Sequence, residues 1–450
     1  MKIFLDMVGC RLNQSEIEMY ARQFVGAGHT LTDTPGEADL IVINTCTVTS
    51  AADSDSRQKI RQAARLGRGQ IIVTGCWSTM FPEEAASLPQ VCQVVPNQFK
   101  DELVAEFFKS QGQIMPLESD HRQTIPGGRM RTRAFIKVQD GCDNRCTFCI
   151  TTLARGSSRS QPIEKVIADI HLAMTDDPQN PGSAAREVVL TGVHLGAWGR
   201  EFSPALELRH LIEAVLKDTD IERVRLSSLE PWDLNDDFFK LWENPRLCPH
   251  LHLPLQSGSA GVLRRMGRKV TPQSYAYLLA QARQVIPEVA ITTDLIAGFS
   301  GETETEFDEG LTFVQQMEFA GGHVFTYSPR PGTAAYGLQP QIPLSLRKER
   351  SARLRLILEE ANRSYRMRYI HKCSSVLWER AEKFGSGYIM EGLTANYLHV
   401  TAFSPVPLWN QFSEVRLDAV TKDGLQGTIV ALDQSIFDWE AQQKNKKQEI

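Results

Sequence analysis

The stretch that decides the fold is FIKVQDGCDNRCTFC, residues 135–149. Its apolar beginning reads as a strand, and a short polar loop follows that carries Cys142, Cys146 and Cys149. A structural zinc site needs four ligands, usually two pairs of closely spaced cysteines. Three closely spaced thiolates without a nearby fourth partner suit a 4Fe–4S cluster that leaves one iron open. An open iron can chelate a small ligand through an amine and a carboxylate.

The cysteine loop opens a long alternation of strand and helix patterns. Helical periodicity predicts helices over 162–175, 205–217, 272–286 and 304–317. Six predicted strands alternate with these helices. This number fits an open or partial (β/α)6 barrel better than a closed eight-stranded one. The carboxyl ends of such strands carry the chemistry. The predicted strands are FIKVQDG (135–141), REVVLTGV (186–193), RVRLSSLEP (223–231), HLHLPLQSG (250–258), AITTDLIAGF (290–299) and GGHVFTYSP (321–329).

The N-terminal hundred residues predict a βαβαβ unit with a parallel sheet. Its strands are KIFLDMVGC, DLIVINTC and QIIVTGC, and each of them ends in a cysteine. Helices are expected over 13–29, with Asn13 as N-cap, and over 53–66. The carboxyl ends of parallel strands share one edge, so the three thiols are expected to meet in space. The alternative is that they are simply small buried residues. The cysteines concerned are Cys10, Cys46 and Cys76.

The length of 450 residues predicts about three domains. We expect an N-terminal α/β domain at 1–115, a barrel at 132–370, a small OB-like β-barrel at 371–435 and a tail at 436–450, with a polar linker between the first two. A basic helical pattern over 347–372 carries nine Lys or Arg against three Glu. Its residues either form a solvated face with salt bridges or supply positive charge to a partner.

Composition excludes several classes of protein. Hydrophobic residues make up 42% and charged residues 23%, as in globular proteins. No apolar run is long enough to span a bilayer, and the N-terminus lacks a signal-peptide core. Nine cysteines, an odd number, argue against a disulfide framework and predict a cytoplasmic protein. The net charge of −5 means that a nucleic acid would need a local basic patch. Cys92, Cys248 and Cys373 are expected to be structural.

The run GCDNRCTFCI resembles the signature of the radical SAM superfamily, including Phe148 before the last cysteine. Over roughly 1–435 the chain resembles the methylthiotransferases of that superfamily. The resemblance implies two 4Fe–4S clusters and S-adenosylmethionine. The loop cysteines would hold the radical-generating cluster, and Cys10, Cys46 and Cys76 a second cluster that carries the sulfur. No catalytic residue beyond the cluster ligands is expected. The resemblance also implies a C-terminal TRAM domain that binds RNA.

Other segments resemble the family's barrel motifs, including LTGVHLGAWG (190–199) and LSSLEP (226–231). By this similarity Phe148, Ser228, Glu230, Gln256 and Asp294 are candidates for holding S-adenosylmethionine. Carboxylates and amides at strand ends can bind ribose hydroxyls and an ammonium group. Each of the four polar residues could instead be an ordinary cap or turn residue.

The resemblance leaves the substrate to be chosen among branches. GCRLNQSE (9–16) is most similar to the branch that modifies N6-threonylcarbamoyladenosine next to the tRNA anticodon. Isopentenyladenosine in tRNA and an aspartate of a ribosomal protein are the alternatives. A non-enzymatic RNA-binding protein with structural metal is a further rival. An electron donor and a sulfur source are implied partners.

Contacts to the RNA are predicted from charge and aromaticity. Side chains in ARGSSRS (154–160) are expected near substrate phosphate, and the basic helix offers further cations. Tyr388, Tyr397 and Trp409 either stack on exposed bases or fill the barrel core. The predicted RNA-binding residues are Arg155, Arg159, Arg363, Arg366, Arg368 and Lys372.

Overall fold

The N-terminal segment forms a parallel sheet with strand order β2-β1-β3-β4-β5. All six residues of the run LIVINT are buried, as expected for a central parallel strand covered on both faces. The elements are β1 (Lys2–Met7), α1 (Arg11–Gly26), β2 (Thr30–Leu31), β3 (Leu40–Thr45), α2 (Ser50–Leu66), β4 (Gln70–Gly75), α3 (Cys76–Met80), α4 (Pro82–Ala86), β5 (Val91–Val95) and α5 (Leu103–Ser110).

The predicted βαβαβ unit is confirmed, with β1, β3 and β4 adjacent and in parallel register. The strands β2 and β5 were not predicted, because one is two residues long and the other is half exposed. The predicted N-cap at Asn13 is wrong. The helix begins at Arg11 after Cys10, and Asn13 lies inside it, with its amide donating to Val8 O at 2.7 Å. This buried contact outweighs the local capping preference.

The computed structural model describes residues 1–110, 112, 132–178 and 180–431. Most of the predicted linker and the predicted tail at 436–450 lie outside these described residues. The chain divides into two compact units, Met1–Leu358 and Glu359–Ile450. No helix within the described part is long and apolar enough to cross a membrane.

The central segment is an open barrel of parallel strands. It comprises a sheet of order β10-β9-β6 and a sheet of order β11-β12-β13. Parallel bridges Val224–Leu247 and Ser228–His252 join the two at β10 and β11. The elements are β6 (Arg133–Lys137), β7 (Gln139–Asp140), α6 (Thr151–Arg155), β8 (Arg159–Ser160), α7 (Ile163–Ala173), β9 (Glu187–Thr191), α8 (Leu208–Asp218), β10 (Arg223–Leu226), α9 (Asp236–Phe239), β11 (His250–His252), α10 (Ala260–Arg265), α11 (Pro272–Val285), β12 (Ala290–Ala297), α12 (Glu304–Gln316), β13 (Gly321–Thr326) and α13 (Leu344–Met367).

All the predicted barrel strands and helices are present, and the open (β/α)6 architecture is confirmed. Each predicted helix begins or ends within about three residues of the observed bounds. A continuous core of aliphatic and aromatic side chains lies between the strands and the outer helices. The basic pattern over 347–372 is only partly solvated. Arg350 is buried and pairs with Glu302 at 2.8 Å, while Arg353 pairs with Asp308 at 3.0 Å.

The C-terminal strands close into a barrel of order β14-β15-β16-β18-β17. Its interior holds Val376, Trp378, Met390, Val415 and Leu417, all fully buried. The predicted small β-barrel is confirmed. The strands are β14 (Cys373–Phe384), β15 (Gly387–Thr394), β16 (His399–Ser404), β17 (Phe412–Val420) and β18 (Leu425–Ala431).

Candidate active site

The loop after β6 and β7 is held by backbone hydrogen bonds. The Cys142 N–H donates to Gly156 O at 3.0 Å, and the Cys149 N–H donates to Cys146 O at 3.1 Å. The Asn144 N–H points at the Cys142 sulfur, 3.4 Å away. The loop itself therefore arranges its three thiols, and one sulfur already receives a backbone donor.

Further contacts fasten this loop to the barrel. The Thr147 N–H donates to Met266 O at 2.9 Å, and the Ala335 N–H donates to Thr147 O at 2.8 Å. The neighbouring Phe148 packs edge-on against Phe299, with ring centroids 6.4 Å apart. The predicted cofactor residue Phe148 is thus a half-buried anchor between loop and barrel in this structure, which fixes where the cysteines stand.

The environment of the loop thiols fits a metal cluster. Burial raises the pKa of Cys142 to about 11, with Cys149 and Cys146 adding like charge. Burial also raises the pKa of Cys146, against the opposing charge of Arg268. Metal binding requires the loop cysteines as thiolates, so it releases their protons. The donor set of three mutually interacting sulfurs is the one a 4Fe–4S cluster with an open iron requires.

The second set of thiols lies at the carboxyl ends of β1, β3 and β4, as predicted. Gly9 precedes Cys10 with φ +107°, and a Cβ there would stand 2.7 Å from Cys46 Cβ and 2.8 Å from Cys46 Sγ. Gly75 precedes Cys76 with φ +100°, and its Cβ would meet Thr45 O at 2.3 Å. Only glycine allows the strand ends to approach this closely. The three cysteines therefore follow the carboxyl ends of adjacent parallel strands.

The three strand-end thiols are close enough to influence one another electrostatically. Burial, together with the charges of Cys76 and Cys10, raises the pKa of Cys46 to about 12. Ser56 fixes the Cys46 backbone, since its hydroxyl accepts from Cys46 N at 3.1 Å and donates to Cys46 O at 3.0 Å. Cys10 is exposed while Cys46 and Cys76 are buried. Such a set can hold a second cluster with one side open to solvent.

Arg155, at the end of α6, reaches from the barrel into this N-terminal site. Its Nε donates to Cys76 Sγ at 3.2 Å, and its Nη2 donates to Asn13 Oδ1 at 2.7 Å. Asp140 Oδ1 accepts from Nη1 at 2.9 Å. The side chain is only 4% exposed. The prediction that Arg155 contacts substrate phosphate is therefore wrong, because its guanidinium is buried and already bound.

A cluster of buried charges surrounds Arg155. Lys100 forms an ion pair with Glu16 and another with Asp140, at 2.9 Å in the second case. Burial alone would raise the pKa of Glu16, but the charges of Lys100, Arg155 and Lys137 lower it to about 2. The pKa of Asp140 is lowered in the same way against the effect of burial. Paired charges thus join α1 to the barrel beneath the cysteines.

A second buried arginine also joins the N-terminal sheet to the barrel. Arg330 donates from Nη2 to Asp53 Oδ2 at 2.5 Å and to Thr47 Oγ1 at 2.8 Å. It lies in the segment YSPRPGT, whose interdomain contact the sequence did not indicate. Arg155 and Arg330 together attach both sides of the strand-end cysteine site to the barrel.

Three of the predicted S-adenosylmethionine residues, Ser228, Gln256 and Asp294, lie on neighbouring strand segments of the barrel. Ser228 forms a bridge to His252, and Gln256, with φ +75°, forms one to Leu295. Asp294 Oδ2 lies 3.3 Å from His252 Nε2. These side chains are half-buried, so each remains reachable for a ligand. The fold therefore brings these three predicted polar residues onto adjacent strand segments.

Glu230, the remaining predicted residue, is held by Arg268. Two hydrogen bonds of 3.1 and 2.7 Å join its carboxylate to the guanidinium, which also lies 3.8 Å from Cys146 Sγ. The guanidinium carbon stands 4.5 Å from the centre of the Trp232 ring. Arg268 thus connects a candidate cofactor carboxylate to a loop cysteine. Sequence analysis did not single out Arg268, since one arginine after a glycine carries no signal of its own.

A polar chain next to the loop was also missed. His194 Nε2 lies 2.6 Å from Asp233 Oδ2, and His194 Nδ1 lies 3.3 Å from the side-chain nitrogen of Asn144. Burial would raise the pKa of Asp233, but its hydrogen bond to His194 lowers it. The histidine stands within the motif LTGVHLGAWG, and the sequence does not indicate its aspartate partner. A cavity of about 430 Å³ adjoins the His194–Asp233 pair. Its lining includes Gly196, Arg200, Leu206, Trp232, Asp233 and Phe238.

The remaining predicted RNA residues have mixed environments. Arg159 is exposed, with its side chain 48% accessible. Arg363, Arg368 and Lys372 are also exposed. Arg366 instead donates to the carbonyls of a turn, with Thr421 O at 3.0 Å, so its first role is structural. Tyr388, Tyr397 and Trp409 are half-buried, and so are neither core residues nor fully open.

Comparison with known proteins defines the class. The radical SAM superfamily matches residues 136–314, and the uncharacterized protein family UPF0004 matches residues 2–96. The solved structure of the radical S-adenosylmethionine methyltransferase TsrM from Kitasatospora setae covers 74% of this chain and 77% of its own, with a TM-score of 0.53 and 14% identity. That likeness supports the fold alone. The chain is a radical SAM enzyme, which uses 4Fe–4S clusters and S-adenosylmethionine.

Relatives give the particular family. The threonylcarbamoyladenosine tRNA methylthiotransferase MtaB of Thermotoga maritima is 34% identical over 94% of this chain and 95% of its own length. A tRNA-2-methylthio-N(6)-dimethylallyladenosine synthase of Maricaulis maris is 28% identical over 95% of this chain and 97% of its own. The chain belongs to the MtaB family of methylthiotransferases. The rival interpretation as a non-enzymatic metal protein is wrong.

Proposed function

We propose that this enzyme replaces the C2–H of N6-threonylcarbamoyladenosine in tRNA, next to the anticodon, with a methylthio group. The observation that carries the proposal is full-length similarity to an enzyme with that name, together with two separate sets of three thiols in one compact unit. Lower identity to the dimethylallyladenosine synthase makes isopentenyladenosine the second choice.

Cys142, Cys146 and Cys149 would hold the cluster that supplies one electron to the sulfonium of S-adenosylmethionine. The chain's own contribution is to fix the loop through Thr147 and to bring Arg268 against Cys146. Buried backbone contacts on the loop limit its movement and the access of water. A fixed geometry of this kind is what radical chemistry needs, because a displaced acceptor lowers the rate steeply.

The polar residues inside the barrel would orient S-adenosylmethionine. Ser228, Gln256 and Asp294 lie on adjoining strand segments of the barrel and carry a hydroxyl, an amide and a carboxylate. Glu230 would act from its place on Arg268. Such groups can bind ribose hydroxyls and the methionine ammonium by charge-assisted hydrogen bonds.

Cys10, Cys46 and Cys76 would hold a second cluster at which the inserted sulfur is bound and methylated. The exposure of Cys10 beside two buried thiols leaves an open side for the incoming sulfur. The protein partners would be a low-potential electron donor and a sulfur source. A cytoplasmic location follows for an enzyme that acts on tRNA.

The C-terminal barrel would be a TRAM domain that grips the anticodon stem-loop. Exposed Arg363, Arg368 and Lys372 offer positive charge to phosphates. Tyr388, Tyr397 and Trp409 are half-buried, and the aromatic faces of such side chains can stack with an unstacked base. The target adenosine must leave its stack to reach the barrel interior.

The test is mass spectrometry of tRNA nucleosides from a host that lacks its own methylthiotransferases. The host carries either this gene or the same gene with Cys142→Ala as the matched control. The proposal expects 2-methylthio-N6-threonylcarbamoyladenosine with the unchanged gene alone. The isopentenyl product instead would retain the reaction and overturn the substrate. No tRNA product, together with a methylthiolated ribosomal protein, would overturn the RNA substrate.

A further inference from the structure

Cys76 differs from the other N-terminal thiols in what touches its sulfur. The Arg155 guanidinium donates to Cys76 Sγ from Nε at 3.2 Å, and Asn97 Nδ2 lies 3.5 Å from the same sulfur. Cys10 Sγ faces an acceptor instead, Asn13 Oδ1 at 3.8 Å. A cation therefore acts directly on one thiol of the trio.

The arginine is held in place by the protein alone. Asn13 Oδ1 accepts from Nη2 at 2.7 Å, while Asp140 Oδ1 and Glu16 Oε1 accept from Nη1 at 2.9 and 3.2 Å. The residue is only 4% exposed, and its Nε and both Nη atoms are hydrogen-bonded, so the side chain is held in one orientation. Its Nε–H therefore points at the sulfur as a consequence of the fold.

Arg155 also comes from the other cysteine site. The helix α6 starts two residues after Cys149 and ends with Arg155. The next residue, Gly156, accepts the hydrogen bond from Cys142 N. The short segment that contains α6 therefore contacts both the loop cysteines and the sulfur of Cys76.

We infer that Arg155 is a positioning residue of the N-terminal cluster: its guanidinium donates to the Cys76 sulfur and raises the reduction potential of the cluster. Hydrogen bonds to cluster sulfurs and nearby positive charge stabilise the more negative, reduced state. The inference rests on the proposed function, because it takes Cys10, Cys46 and Cys76 as cluster ligands. According to this inference, the reduction potential of the sulfur-carrying cluster depends on its attachment to the barrel through Arg155.

The test uses the full chain with Cys142, Cys146 and Cys149 all changed to Ala, so that only the N-terminal cluster forms. After anaerobic reconstitution, iron and sulfide are counted first. A potentiometric titration followed by electron paramagnetic resonance then gives the midpoint potential. The same background is measured with Arg155→Gln, Arg155→Lys and Arg330→Gln.

Arg155→Gln is expected to shift the midpoint to a more negative potential. Arg155→Lys keeps the charge beside Glu16 and Asp140 but loses the Nε–H, so it should fold and give a smaller shift in the same direction. If Arg155→Gln does not fold, the potential of Arg155→Lys tests the role of Arg155. Arg330→Gln is the matched control, since this buried arginine joins the same parts of the chain through Asp53 and Thr47. Because its guanidinium bonds to Thr47 and Asp53 and not to the Cys76 sulfur, it should shift the potential clearly less than Arg155→Gln does.

The outcomes separate the two proposals. An unchanged potential in a loaded Arg155→Lys or Arg155→Gln variant would overturn the role of Arg155 and leave the proposed function standing. Equal shifts for the Arg155 and Arg330 variants would overturn it too, as a general effect of a loosened interface. Failure of the background protein to bind any cluster would overturn the ligand assignment in the proposed function, and the inference with it.

Discussion

The two cysteine sites are built in opposite ways. One set lies within residues 142–149, where a single loop fixes all three thiols through its own backbone. The other is spread over residues 10–76 and lies at one edge of the sheet only because three adjacent parallel strands end there. The loop site can be recognised from spacing alone, whereas the strand-end site exists only in the folded sheet.

The supports of the two sites differ accordingly. Main-chain bonds, such as Thr147 N to Met266 O, help to tie the loop to the barrel. The strand-end site depends on side chains that arrive from the barrel, with Arg155 on Cys76 and Arg330 on Asp53. Side-chain contacts can be removed one at a time, so the strand-end site should respond more to mutation of its surroundings.

The largest effect is expected from Cys142→Ala. Loss of this ligand should abolish formation of 5′-deoxyadenosine, because the remaining two thiols cannot hold the radical-generating cluster. The measurement is 5′-deoxyadenosine by liquid chromatography with reduced, reconstituted enzyme. Cys92→Ala, which changes an exposed cysteine outside both sites, is the matched control. Normal product from the Cys142 variant would contradict the assignment.

Cys46→Ala should separate methylthiolation of tRNA from formation of 5′-deoxyadenosine. The N-terminal cluster is lost and methylthiolated tRNA disappears, yet 5′-deoxyadenosine still forms, because the loop site does not use this residue. Both products are measured in one assay, and iron per chain should fall to one cluster's content. Parallel loss of both products would show that the two sites are not separable.

Glu16→Gln tests the charges beneath the strand-end site through pH. The carboxyl has a pKa of about 2 in the folded protein against 4.5 as the ordinary value. Its stabilisation is therefore present above about pH 4.5 and is lost as pH falls towards 2. A shift of this size corresponds to about 3 kcal/mol. Urea unfolding of the apoprotein should show this difference between wild type and variant at pH 7, shrinking below pH 4.5.

The control for this experiment is Glu106→Gln. Glu106 forms an exposed pair with Lys109, and surface pairs contribute little to stability. Its unfolding curve should follow wild type at every pH. A Glu16 variant that also follows wild type would show that the buried charges do not stabilise the junction.

The smallest effect is expected from Gly9→Ala, with Gly28→Ala as its control. Both glycines have positive φ, +107° and +80°, so each alanine pays a similar backbone cost of about 1–3 kcal/mol. Only at Gly9 would the new Cβ meet Cys46, at 2.7 Å, while nothing lies within 4 Å at Gly28. Iron at the N-terminal site, counted in the absence of the loop cysteines, should fall only for Gly9→Ala. Equal iron would show that the close approach is not needed.

Sequence analysis succeeded where local signals agree with the fold. Period-two and period-3.6 patterns placed the barrel strands and helices, and strand-end cysteines predicted a shared edge. It failed at Asn13 and Arg155. Both look like surface residues, a cap and a cation, yet both are buried where α1 meets the barrel. The pairing of α1 with α6 joins residues more than a hundred positions apart, and no local pattern encodes it.

The sequence by itself therefore determined the class of chemistry, the cysteine loop, the order of strands and helices and the family. It did so because metal-ligand spacing and hydrophobic periodicity are local properties of a chain. Only the tertiary structure decided that Arg155 serves a sulfur and not a phosphate, that Arg268 holds Glu230, and that His194 joins Asp233 to the cysteine loop. A buried charge takes its role from the partners that remove it from water, and those partners come from distant parts of the chain.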